Sequence, residues 1–166
     1  AKSEIIPSNK DRFLRKETLQ GFVHDEASAF FGGLAGNAGL FSTAREVACV
    51  YQMLLNGGEI DGRRYLSKET CQLFTTETSK ISRRGLGFDK PDADDPKKGN
   101  CAPSAPVGVY GHTGFTGTCA WADPVNELVY VFLSNRIYPD VTNRKLNQLH
   151  IRERIQGAIY DAMQNK

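Results

Sequence analysis

The chain has 166 residues, 40% of them hydrophobic and 24% charged, which is enough apolar content for one compact domain with its own core. Twenty-one basic against nineteen acidic residues leave a formal charge of +2, too balanced to steer the protein toward nucleic acid or anionic lipid. No apolar run approaches the ~18 residues a spanning helix needs, and the opening "AKSEIIPSNK" does not read as a signal peptide.

Residues 1–23 are polar and of mixed charge, and read as an irregular arm with at most one helical turn. "HDEASAFFGGLAGNAGLF" follows, too rich in glycine for a stable helix, and reads as a tight loop up to residue 41. Thr43 and Glu46 then form a T-x-x-E capping box. Val47, Val50, Tyr51, Leu54 and Leu55 repeat with helical period until Gly57-Gly58 stops them. Ser67 caps a shorter helix over "KETCQLF", and residues 77–106, with "DKPDADDPKKGN", form a long surface excursion. Segment 42–106 is thus helices and a long loop.

From 107 to 135 the pattern becomes that of strands: "VGVYGHT", "GTCAWAD" and "ELVYVFLSN", the last two joined by a turn at Asp123–Asn126. A terminal helix over 146–164 places Ile151, Ile155, Ala158, Ile159 and Ala162 on one face. Packing it on the sheet would bury isoleucines at about 1.5–3 kcal/mol each. Helices, then a three-stranded antiparallel sheet, then a helix packed on it make an α+β fold in a single domain, 1–166.

Cys49, Cys71, Cys101 and Cys119 contain no C-x-x-C pair, which argues against structural zinc. Cys49 and Cys71 read as buried thiols, and a disulfide at Cys101 stays open. The doublets Arg63-Arg64, Arg83-Arg84 and Lys97-Lys98 read as solvated loop charges. His24-Asp25-Glu26 lacks a second histidine at metalloprotease spacing and reads as a hydrogen-bonded loop. Gly33–Gly39 lacks the Lys-Ser/Thr of a phosphate loop. The remaining dense cluster is "YGHTGFTGT", residues 110–118. A His-Thr-Gly closing a strand can present hydroxyl and backbone N–H groups to a carboxylate or a developing oxyanion; equally, it can be a simple strand–turn–strand corner.

"HDEASAFFGGLAGNAGLFSTAREVACVYQMLLNGG" followed by "YGHTGFTGTCAWADPVNELVYVFLSNRIYP" resembles the penicillin-recognising serine hydrolases, in their class C β-lactamase-like and esterase branch. The family's third motif, Lys-Thr-Gly or His-Thr-Gly, matches His112-Thr113-Gly114. The resemblance implies that His112 and Thr113 contact a substrate carboxylate or assist proton movement. It also implies that the Phe115 backbone N–H forms one arm of an oxyanion hole. Asn37 departs from the related "GHAGLFST" segment, which usually has histidine there.

The other two family motifs are absent. No serine is followed three places on by lysine, and no tyrosine two places on by asparagine. A serine hydroxyl without an adjacent base is a poor nucleophile at neutral pH. The resemblance therefore implies the C-terminal half of a larger hydrolase acting on a β-lactam, ester or peptide. That half would carry the strand side of the cleft and neither nucleophile nor base, and would be inactive alone. The resemblance further implies no cofactor and no metal, a small-molecule or peptide substrate, and the cell envelope or periplasm. Its partner would be the missing N-terminal part or a self-associated copy covering an exposed apolar face. A second expectation is a non-catalytic peptide- or glycan-binding domain that keeps the remnant fold.

Overall fold

A computed structural model describes residues 4–76 and 79–165. The central layer is an antiparallel sheet of β5 (Tyr110–Thr113), β6 (Cys119–Asp123) and β7 (Leu128–Phe132), in that order. Tyr110 faces Ala122 and Thr113 faces Cys119 across the first pair; Cys119 faces Phe132 across the second. Alternation divides the two faces. Cys119, Trp121 and Tyr130 form a core with Cys101 and Val109, against which Ile159 of α5 (Ile151–Gln164) packs. Ala120 and Ala122 point the other way, toward the side of Tyr110. The Tyr110 ring meets Phe88 edge-on, and Phe88 meets Tyr51 of α2 (Ala44–Leu55). The sheet thus lies between α2 and α5, and the architecture is α+β.

The helix starts follow local chemistry. Thr43 accepts from the Glu46 N–H at 3.3 Å while the Glu46 carboxylate accepts from the Thr43 N–H at 3.0 Å, the reciprocal capping box. Ser67 accepts from the Thr70 N–H at 3.1 Å and starts α3 (Lys68–Thr76). Asp25 does the same for the short α1 (Glu26–Phe30), accepting from the Ser28 N–H at 2.7 Å.

Several expectations need correction. The irregular arm contains a hairpin, β1 (Pro7–Lys10) with β2 (Thr18–Gln20), bulged between Pro7 and Asn9. Asp11 closes it, accepting from the N–H groups of Phe13 and Leu14 and from the Arg15 guanidinium. A second hairpin, β3 (Glu59–Ile60) with β4 (Arg63–Arg64), turns at Asp61-Gly62. Both turn residues have positive φ, as a tight two-residue hairpin requires, and the Asp-Gly pair was its sequence signal.

The terminal helix is two, α4 (Lys145–Gln148) and α5, interrupted at His150 with φ of 49°. Its buried face is also rotated: Arg152, Gln156 and Tyr160 are buried, whereas Ile155, Ala158 and Ala162 are exposed. Hydrogen bonds decide this. Gln156 Oε1 accepts from the Ala102 N–H, Tyr160 donates to Asp123, and Tyr130 donates to the Arg152 carbonyl. Satisfied polar groups can be buried, and apolar periodicity alone does not reveal them.

Cys49 is exposed, while Cys71, Cys101 and Cys119 are buried free thiols; burial pushes Cys101 up to about 12. Arg83 is not a solvated loop charge either, because it pairs with the fully buried Asp89.

Much of the apolar surface has no cover. Phe30, Phe31, Leu34 and Leu40 are each exposed by more than three quarters, and α2 buries no residue fully. The accessible area is 10848 Å², against roughly 8,200 Å² for a compact monomer of this mass.

Candidate active-site cleft

A cleft of about 850 Å³ opens at the end of β5 where the chain turns toward β6. His112, Thr113, Gly114 and Phe115 all line it, so one strand end supplies the whole expected cluster. The opposite lining comes from His24, Asp25 and the loop through Asn37–Ser42, and the far end from Leu133–Asn135.

Both ring nitrogens of His112 are engaged. Nδ1 lies 2.7 Å from the Thr113 carbonyl and must donate to it; Nε2 therefore accepts from Arg84 Nη1 at 2.8 Å. The Thr113 hydroxyl and the Phe115 N–H have no hydrogen-bond partner among the described residues, so both are available to a ligand. The turn carrying them is braced. Gly114 N–H donates to the Thr118 carbonyl, Arg136 N–H to the Thr116 carbonyl, and Ser134 Oγ to the Gly117 carbonyl.

Phe115 projects outward, 60% exposed, with two neighbours that sequence reasoning did not connect to it. The His24 ring stacks on it at 5.2 Å and 5°, and the Arg136 guanidinium lies 4.7 Å from its centroid. Burial first, and then the Arg15 charge, hold His24 below its ordinary value, favouring an uncharged ring on the aromatic face. Arg15 also places His24, donating to the carbonyls of Val23 and His24. Burial, then the charges of Arg152 and Arg144, lower Arg136 as well, so the turn sits in a locally positive field. Asn37 bridges the loop to α1, accepting from Ser28 Oγ at 3.2 Å.

The serines of the cleft are all occupied. Ser8 donates to the Phe22 carbonyl, Ser42 to the Glu46 carboxylate and Ser134 to the Gly117 carbonyl. Glu46 is the only carboxylate among these acceptors, and its hydrogen bonds with Thr43 and Ser42 lower its basicity. Among the described residues no three His, Cys, Asp or Glu side chains are grouped to hold a metal ion, and no helix is long and apolar enough to cross a membrane.

The family model described as Beta-lactamase matches residues 7–153. The chain belongs to the Beta-lactamase family. Relatives include proteins named "Putative D-alanyl-D-alanine carboxypeptidase" from Salmonella agona, Salmonella enteritidis and Salmonella typhi. Each is 37% identical over 141 residues, covering 81% of this chain. The chain spans 31% of the length of these relatives. Within this Beta-lactamase-family chain, the His112–Phe115 turn was legible from its motif. Arg84, His24 and Arg136 were not, because each is brought to the turn from a distant segment and no local pattern marks them.

Proposed function

We propose that this chain is the C-terminal portion of a β-lactamase-like serine hydrolase and supplies one wall of an acyl-transfer cleft. The observation that carries this is the unpartnered pair of the Thr113 hydroxyl and the Phe115 N–H at one strand end. Thr113 would hold the substrate, Gly114 would let the chain turn, and the Phe115 N–H would stabilise the oxyanion of a tetrahedral intermediate. His112 would orient the strand end. The nucleophile and its base would come from a preceding segment, since each serine in this cleft already donates to a structural acceptor. That segment would also cover the exposed apolar surface; a second copy of the chain is the other candidate cover. The relatives' printed names make a peptide ending in D-alanine the leading substrate, with β-lactams as mimics. Such a substrate would place the enzyme in the cell envelope.

The test is labelling with a fluorescent penicillin. The full-length protein should become covalently labelled and this chain alone should not. Stoichiometric acylation of the isolated chain would sink the reading.

A further inference from the structure

The turn that carries the Phe115 N–H is held on either side of that residue but not at it. Gly117 N–H donates to the Gly114 carbonyl at 3.0 Å, which makes Phe115 and Thr116 the central residues of a β-turn. The Gly114 N–H is bonded to Thr118 and the Thr116 carbonyl to Arg136, yet Phe115 makes no backbone hydrogen bond among the described residues. Gly114 has to be glycine, because a Cβ there would run into Thr118 Oγ1, and a glycine leaves the peptide that follows it loosely determined. The aim of the Phe115 N–H then depends on what fixes the Phe115 ring.

That ring is gripped although most of it is exposed. The His24 imidazole lies parallel to it at 5.2 Å, and both residues line the cleft. His24 stands on braced backbone. Arg15 donates to the carbonyls of Val23 and His24 at 2.8 and 2.9 Å, and its Nε pairs with Asp11 at 2.7 Å. On the other side, Asp25 caps α1. The imidazole Nδ1, by contrast, is buried without a hydrogen-bond partner among the described residues. A buried nitrogen left unpaired is unfavourable, so what seats this ring is its face on Phe115. Asp11, Arg15 and His24 thus connect the first hairpin to the turn at Phe115.

We propose that His24 is a positioning residue for acyl transfer: its ring clamps Phe115 so that the Phe115 N–H points at the developing oxyanion. The inference rests on the acyl-transfer reading above. A donor that meets the oxyanion acts mainly in the transition state, so a misaimed one lowers kcat and leaves KM nearly unchanged.

The experiment uses the full-length protein, the p-nitrophenyl ester of N-acetyl-D-alanine, and its thiono analogue, in which sulfur replaces the carbonyl oxygen. Sulfur is larger and a weaker hydrogen-bond acceptor, so the oxo-over-thiono ratio of kcat reports how well the donor is aimed. The ratio is internal to each variant and does not depend on how much of it is folded. Wild type should prefer the oxo ester. His24→Gln removes the ring face and should lower kcat on that ester at least about tenfold, with KM within about twofold, and the ratio should fall with it. His24→Phe should restore both, because the imidazole is held uncharged here and a phenyl ring can stack in its place. An unchanged ratio in His24→Gln, or equal losses in His24→Gln and His24→Phe, overturns the assignment of His24. Wild-type turnover of neither ester overturns the acyl-transfer reading itself, and this inference with it.

Discussion

Arg83 and Arg84 are neighbours in the chain with opposite assignments: Arg83 is locked on buried Asp89, while Arg84 reaches His112. The first contact fixes the segment and the second meets the cleft. Removing the lock should therefore reach the site. Asp89→Ala leaves Arg83 without its carboxylate and should cost about 3 kcal/mol, at the lower end for a broken buried pair because Arg83 keeps part of its surface in water. Urea unfolding measures this, and a loss under about 1 kcal/mol would contradict it.

The same pair sets a pH dependence. Burial alone would raise Asp89, but Arg83 and Asn100 outweigh it and hold the carboxyl below its ordinary 3.8. The unfolded chain then takes up the proton first as pH falls. Stabilisation by Asp89 is full above about 3.8 and is lost as pH drops through the lower folded-state value. Arg15 and the Phe13 N–H lower Asp11 in the same sense. Stability curves between pH 2 and 6 should show the loss, with a shallower slope in Asp89→Asn.

Gly111 sits where β5, β6 and the Asp89 strap meet. A Cβ there would run into the Ala120 carbonyl oxygen and lie 2.7 Å from Trp121 Cε3. Backbone cannot yield as a flexible side chain would, so Gly111→Ala should cost more than about 3 kcal/mol, beyond ordinary overpacking. Thermal unfolding with a near-native melting point would refute this.

At α2 the effect should be small and local. Thr43→Ala removes the hydroxyl that caps the Glu46 N–H and should cost about 1 kcal/mol, while Thr43→Ser should cost little. Equal losses in both variants would show that the methyl group, and not the cap, matters.

The uncovered apolar surface should make the isolated chain sticky. It should bind a hydrophobic dye and self-associate as concentration rises, and a preceding segment that completes the fold should suppress both. Sedimentation as a dye-silent monomer at all concentrations would oppose this.

What the sequence disclosed depended on the range of the interactions involved. The capping box of α2 and the three strands were legible because their determinants lie within a few residues. The β1–β2 hairpin was not, since "KDRFLRKETLQ" carries no alternation and Asp11 closes it through side-chain bonds. The orientation of α5 was missed because Gln156 and Tyr160 are buried by partners in other segments. At the cleft, resemblance to a family motif singled out His112 through Phe115, but Arg84 lies 28 residues from His112 and only the strap brings it there.

Asn135, just past β7, donates through its side-chain amide to the Pro7 and Ser8 carbonyls at the start of the first hairpin. Ser8 and Asn135 are 127 residues apart. At ~5–20 residues per second on the ribosome, the hairpin waits roughly 6–25 s for its clasp to be made. Ile6 and Ser8 line the cleft, so during that interval this part of the pocket wall is unclasped in the nascent protein.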